Sequence, residues 1–182
     1  MGKVIEGLND LATMYPEIAK QWHPTANGQL LPTKIASKSN KKYFWLCANG
    51  HTYESTADHR VRGSGCPYCG NKKVLLGFND LKTRYPELLV EWDYENNDKQ
   101  PEEFVFSSRK KAKWICKTCG NKWEASIDHR TGKRKTGCPE CAKKLRGELK
   151  HKYALEKNGS ITDPLLLKEW DYVKNKKGPE EY

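Results

Sequence analysis

No stretch of this 182-residue chain approaches the ~18 consecutive apolar residues that a membrane-spanning helix needs. The first ten residues, Met1 to Asp10, also lack the apolar core of a secretion signal, which points to a cytoplasmic protein with no membrane role. A Met-Gly start invites N-myristoylation, but Glu6 stands where that signal wants Ser or Thr. Apolar material is scarce throughout: 36% hydrophobic residues, two Met and four Phe, with a mean hydropathy of −0.91. No serine stands in a Gly-x-Ser-x-Gly elbow, and no glycine-rich phosphate loop follows a strand, so nucleophilic catalysis lacks support. A chain with so little to bury needs a staple, either disulfides or metal.

Seven cysteines are there to supply it, and every one falls inside a duplicated pattern. Gly7-Leu8-Asn9-Asp10-Leu11 returns as Gly77-Phe78-Asn79-Asp80-Leu81, and Tyr15-Pro16-Glu17 as Tyr85-Pro86-Glu87. Trp22 returns as Trp92, Trp45-Leu46-Cys47 as Trp114-Ile115-Cys116, and Asp58-His59-Arg60 as Asp128-His129-Arg130. Cys66-Pro67-Tyr68-Cys69 returns as Cys138-Pro139-Glu140-Cys141. A period of about 70 residues exceeds the roughly 20–50 of short solenoid repeats and suits a small domain duplicated in tandem.

An odd cysteine count without a leader reads as a reducing compartment, where Cys-x-x-Cys pairs serve as metal ligands. That spacing aims two thiolates of one tight turn at the same tetrahedral ion. Cys116 and Cys119, then eighteen residues, then Cys138 and Cys141 make a complete four-thiolate zinc set. The first copy has only Cys47, Cys66 and Cys69, with His51 or His59 to complete it. His59 has a counterpart, His129, in a copy whose four thiolates already fill the coordination sphere. His51 is therefore the better fourth ligand, with His59 the alternative and an unmetallated first site a third possibility. The expected cofactor is zinc, two ions per chain. Counting seven thiolates and two zinc ions lowers the formal net charge of +10 but leaves the protein basic, which favours polyanionic partners.

Each copy opens on a lead with a short helix, capped by Asn9 or Asp10 and interrupted at Tyr15-Pro16, with Trp22 and Trp92 as core anchors. Strands are expected at Tyr43 to Leu46 and Lys113 to Ile115, returning at Thr52 to Ser55 and Lys122 to Ile127. A basic loop follows in each copy, Arg60 to Gly65 and Arg130 to Gly137, and residues 142–157 read as an exposed helix. Trp170-Asp171-Tyr172 and Gly178 to Tyr182 track the second lead and stop before any knuckle. The expected domains are zinc repeat 1 over 1–72, zinc repeat 2 over 73–144, and a linker helix with a partial third repeat over 145–182. The fold class is a set of small α+β zinc-stabilised modules, each a short helix plus a zinc-knuckle β-hairpin.

By these residues the chain resembles the zinc-ribbon or treble-clef tandem repeat family of bacteria and phages. The resemblance rests on Asn9-Asp10-Leu11, Pro16-Glu17-Ile18, Trp22, Lys41-Lys42, Trp45, Cys47, Gly50-His51-Thr52-Tyr53 and Gly65-Cys66-Pro67-Tyr68-Cys69. The second copy departs by placing Cys119 where the Gly-His step would be, which keeps a ligand. The resemblance implies tandem zinc modules, in some relatives joined to nuclease-like domains.

Three functions compete. The leading expectation is a non-enzymatic module that binds nucleic acid, DNA or RNA, through Lys41, Lys42, Arg60, Arg62, Lys110, Lys111, Arg130, Lys133, Arg134 and Lys135. Basic side chains neutralise phosphates, and aromatics among them can stack unpaired bases. The alternative is a protein-binding adaptor or phage-type inhibitor of a host factor, for which Glu91 to Glu95 offers an acidic surface. Third comes a His-Asn-His-like nuclease built on Asp58-His59 and Asp128-His129, with those histidines fixing the hairpins and the arginines facing solvent as the bland reading. The Asn and second His that such a nuclease needs after the closing cysteines are missing, which leaves no catalytic residues to name.

Overall fold

The computed structural model describes residues 4–158, so the partial third lead expected at Trp170 to Tyr182 lies outside the described residues. Two compact units are present. Among the described residues, the first takes 4–89 and 98–108, and the second takes 90–97 and 109–158. The duplication is periodic in sequence, yet packing assigns most of the second copy's lead to the first unit.

Both leads start the same way. Asp10 accepts from the Gly7 and Thr13 N–H groups at 2.7 and 2.8 Å and so caps α1, Leu11–Met14. Asp80 does the same with Gly77 and Thr83 for α4, Leu81–Arg84. This is N-capping, in which a carboxylate takes up amide donors that have no partner inside the helix. The residue between cap and proline cannot continue the helix: Tyr15 sits at φ −142°, ψ 67°, and Pro16 opens a separate turn, α2, Pro16–Ala19. The second copy makes a 3₁₀ segment there, Pro86–Glu91.

Each hairpin follows its lead. In the first unit β1, Lys42–Leu46, pairs antiparallel with β2, Thr52–Thr56, setting Trp45 opposite Tyr53. In the second unit β3, Lys111–Ile115, pairs with β4, Lys122–Ser126, setting Trp114 opposite Trp123. Alternation puts Tyr43 and Trp45 inside in one, Ala112 and Trp114 inside in the other. Trp45 and Trp114 are fully buried, and each donates its indole N–H to a carbonyl of the partner strand, Ser55 and Ala125. The lead tryptophans pack edge-on against them, Trp22 on Trp45 at 5.4 Å and Trp92 on Trp114 at 5.1 Å.

A helical turn follows each hairpin: α3, Ala57–Val61, and α5, Ile127–Thr131. Sequence reading extends β4 through Ile127, whereas Ile127 opens α5 and is fully buried. The exposed helix expected at 142–157 is present as α6, Pro139–Asn158, and begins early enough to include Cys141. Among the described residues, no helix is long and apolar enough to cross a membrane.

Candidate metal centres

Each unit gathers four ligand atoms. In the first, Cys47 follows β1, His51 precedes β2, and Cys66 and Cys69 lie in the turn after α3. In the second, Cys116 follows β3, Cys119 precedes β4, Cys138 precedes α6 and Cys141 lies in its first turn. The turn between the strands is tight. Gly50, at φ 78°, donates to the Cys47 carbonyl, and Gly120, at φ 69°, donates to that of Cys116, both at 2.9 Å. Such left-handed backbone is the conformation that a side chain would strain.

The ligand atoms of each set lie within 4.8 Å of one another. His51 Nδ1 stands 3.3 Å from Cys69 Sγ, 3.5 Å from Cys47 Sγ and 3.7 Å from Cys66 Sγ, and the Cys47 and Cys69 sulfurs are 3.8 Å apart. In the second set, Cys116 and Cys141, Cys119 and Cys138, and Cys119 and Cys141 are 3.6, 3.6 and 3.5 Å apart. Zinc–sulfur bonds of about 2.3 Å set at tetrahedral angles put neighbouring sulfurs about 3.8 Å apart. A disulfide would need about 2.05 Å, and all seven cysteines are free. His51, and not His59, completes the first set.

Electrostatics agree with a dication at each centre. Backbone N–H groups of Cys119 and Thr118 hold the Cys116 thiol down at about 6. Burial pushes Cys66 up to about 11, and the neighbouring sulfurs of Cys119 and Cys116 push Cys141 up to about 12. Sulfurs this close, three in the first set and four in the second, resist sharing negative charge, and a bound divalent cation removes that resistance. Amide donors stand by the sulfurs as well: Asn49 Nδ2 is 3.3 Å from Cys69 Sγ, and Asn121 Nδ2 is 3.6 Å from Cys138 Sγ. Both sets fit Zn²⁺, one as three thiolates with an imidazole and the other as four thiolates.

The first centre is also covered. The His51 ring meets Phe78 edge-on at 4.3 Å and Tyr68 at 5.8 Å. Asn79, 1% exposed, donates to the Tyr68 and Lys73 carbonyls at 2.9 Å and accepts from the Leu75 N–H at 2.7 Å. The Asn of the second lead thus ties down the knuckle of the first copy.

Among the residues read as phosphate contacts, Lys41, Lys42, Arg62, Lys110, Lys111, Lys133, Arg134 and Lys135 are exposed. Arg62 pairs with Asp58 at 2.9 Å, and Lys111 with Glu124 at 3.1 Å. Arg60 and Arg130 differ: they are 6% and 3% exposed, and their guanidinium groups are engaged inside. Arg60 donates to the Ser64 carbonyl and to Gln21 Oε1, and Arg130 to the Thr136 carbonyl and Glu91. Arg130 lies 4.8 and 5.1 Å from the Trp114 and Trp123 ring centroids, Arg60 5.4 and 5.8 Å from those of Trp45 and Tyr53. The sequence reading of the Asp-His-Arg triplet is therefore reversed, with the arginines inside and His59 and His129 exposed. A helix-turn period places the arginine on the inner face, which the hairpin-and-loop reading could not see.

The acidic surface expected at Glu91 to Glu95 is also mostly internal. Trp92 and Asp93 are buried, the Asp93 carboxylate taking up Asn96, while Tyr94 and Glu95 face outward.

A comparison with curated proteins finds no match. The family described as "Probable Treble clef zinc finger domain" matches residues 18–72 and again 88–144, more than half of the chain, and each match holds one full ligand set. The chain belongs to that family, as two tandem treble-clef zinc finger repeats, each with its own metal centre.

Proposed function

We propose that the chain is a non-enzymatic zinc module that binds nucleic acid through its exposed basic loops. The observation that carries this reading is the loop Lys133-Arg134-Lys135, exposed between α5 and Cys138 in a protein of formal charge +10. A metal centre holds one end of that loop, so its cations are presented with less ordering cost than on a free tail. Exposed Lys41, Lys42 and Arg62 supply phosphate contacts in the first unit, and Lys110 and Lys111 in the second. Two such surfaces on one chain bind by avidity. Arg60 and Arg130 have no part in it.

A nuclease would need a further ion held near a base. Among the described residues, the groups of convergent ligands are the two zinc sets, and His59 and His129 stand apart from them. The cytoplasmic assignment and the three-part division at 1–72, 73–144 and 145–182 belong to the same proposal. Replacing Lys133, Arg134 and Lys135 together by Ala tests the reading. Affinity for DNA or RNA should fall, the slope of log affinity against log salt should flatten by up to about three, and zinc content should stay unchanged. Unaltered binding by that variant would sink the reading.

A further inference from the structure

A cleft opens beside the first zinc centre, lined by Cys69, Asn71, Phe78, Asn79, Arg84 and Phe106, with a volume of about 160 Å³. That is well under the ~300–1,000 Å³ of drug-sized pockets and suits a single flat ring system. The duplicated lead provides an internal control for what lines it. The Asp80–Val105 bridge matches the Asp10–Ala36 bridge, so Phe106 stands where the first lead has Ser37. By the same register Arg84 stands where the first lead has Met14, and Phe78 where it has Leu8. Three positions that are small or aliphatic in one copy thus become two phenyl rings and a guanidinium in the other.

These side chains leave the cleft open. Phe78 and Phe106 are half-buried, and the exposed Arg84 lies 5.4 Å from the Phe106 ring centroid. The floor is rigid, because buried Asn79 is fixed by its bonds to the Tyr68 and Lys73 carbonyls. Asn71, in a left-handed turn at φ 53°, accepts from Asn79 through its side-chain oxygen. Among the described residues, its amide nitrogen has no protein acceptor. Lys72 and Lys73 follow immediately and are exposed. The cleft therefore combines an aromatic face, a stacking cation, an amide donor and neighbouring phosphate partners, a combination that fits one unpaired base of a single strand.

We propose that this cleft holds one unpaired nucleobase of a single-stranded nucleic acid, packed against Phe106 and beside Arg84, with the flanking phosphates on Lys72 and Lys73. This inference rests on the nucleic-acid reading above and adds the form of nucleic acid that it selects.

The zinc-loaded chain should be titrated with an oligothymidine strand, an abasic strand of equal length, and a duplex. The variants are Phe106→Ser and Arg84→Met, which install residues that the first lead already carries at these positions. Phe106→Ser, with its zinc content unchanged, should weaken oligothymidine binding at least about fivefold, the lower end of base stacking, while abasic-strand and duplex binding stay within about twofold. Arg84→Met, on an exposed side chain that leaves the fold intact, should reproduce the preference at about half that size on a logarithmic scale. Equal losses on oligothymidine and abasic strand, or none on oligothymidine, would overturn the cleft while leaving the basic-loop reading standing. Should Phe106→Ser lose zinc, the Arg84→Met result decides by the same criterion. A wild-type chain that binds none of the three polymers would remove the nucleic-acid reading itself.

Discussion

Arg130 and Glu91 form an ion pair inside the second unit, with the guanidinium set between the Trp114 and Trp123 rings and only 3% of its side chain exposed. In the first unit Arg60 takes neutral Gln21 in the same place, at 2.5 Å. Each pair joins the residue before the lead tryptophan to the helical turn after the hairpin, and so closes the module around its core. Removing one partner of a buried pair leaves a buried charge uncompensated, at a cost of about 3–5 kcal/mol. Glu91→Ala should therefore lower the unfolding free energy of the zinc-loaded protein by about 3 kcal/mol. Glu91→Gln, which copies the first unit, should cost far less. Urea unfolding at constant zinc separates them, and equal losses would show that the charge has no part in the effect.

Asp80 caps α4 through one carboxylate oxygen, which accepts from the Thr83 N–H, while the other accepts from the Gly77 N–H of the preceding turn, and Asp80→Ala should cost about 1–2 kcal/mol in the same urea assay. Burial pushes the Asp80 carboxyl up, but the hydrogen bonds from Thr83 and Gly77 outweigh it and leave its pKa below the ordinary value. A carboxylate with a lowered native pKa keeps its full stabilising effect above the unfolded pKa of about 3.9 and loses it as pH falls through the native value. The stability gap between wild type and Asp80→Asn should thus stay constant from about pH 8 to 5. A gap that closes already near pH 6 would contradict this role.

Asn79→Ala should weaken zinc binding at the first centre and leave the second as it is. The substitution frees the Tyr68 carbonyl, which lies between the ligands Cys66 and Cys69, and loosens the turn that aims both sulfurs. Loss of an outer partner of this kind lowers metal affinity by about 10–100-fold. Competition with a chromogenic chelator, which resolves two classes of zinc, measures the effect. Equal weakening at both centres would place the role of Asn79 elsewhere.

Zinc uptake at neutral pH should release protons. Cys66 and Cys141 are pushed up to about 11 and about 12 without the ion, so both enter binding as thiols, whereas Cys116, held at about 6, enters largely as thiolate. Because binding expels protons, affinity must fall as pH falls. Calorimetry in buffers of different ionisation enthalpy should show net proton release at pH 7, and affinity should weaken steeply between pH 7 and 5. Binding with no buffer dependence would mean preformed thiolates and contradict the pKa order.

Much of this was legible in the sequence because ligands, caps and core tryptophans each carry a local signature. Cysteine spacing alone identified the second zinc set, and comparison of copies chose His51 over His59 for the first. Position before a short apolar run narrowed the first cap to Asn9 or Asp10, of which Asp10 takes the role, and strand alternation marked Trp45 and Trp114. What escaped was whatever depends on a turn of helix or on contact between distant segments. The burial of Arg60 and Arg130 follows from α3 and α5, whose five-residue length is too short for a periodic signal. The pairing of Phe78 and Asn79 with the first copy's knuckle joins parts of two repeats, and a repeat border drawn from sequence hides it. Phe78, Arg84 and Phe106 show only as departures from Leu8, Met14 and Ser37, a correspondence that the two matching bridges fix.

Metal content of the wild type, His51→Ala and His59→Ala proteins, measured with free thiols under non-denaturing conditions, tests the central claim most directly. We expect two zinc ions per chain in the wild type and in His59→Ala, and one firmly held ion in His51→Ala. One ion in the wild type, or a loss that follows His59 instead of His51, would contradict the paired treble-clef centres.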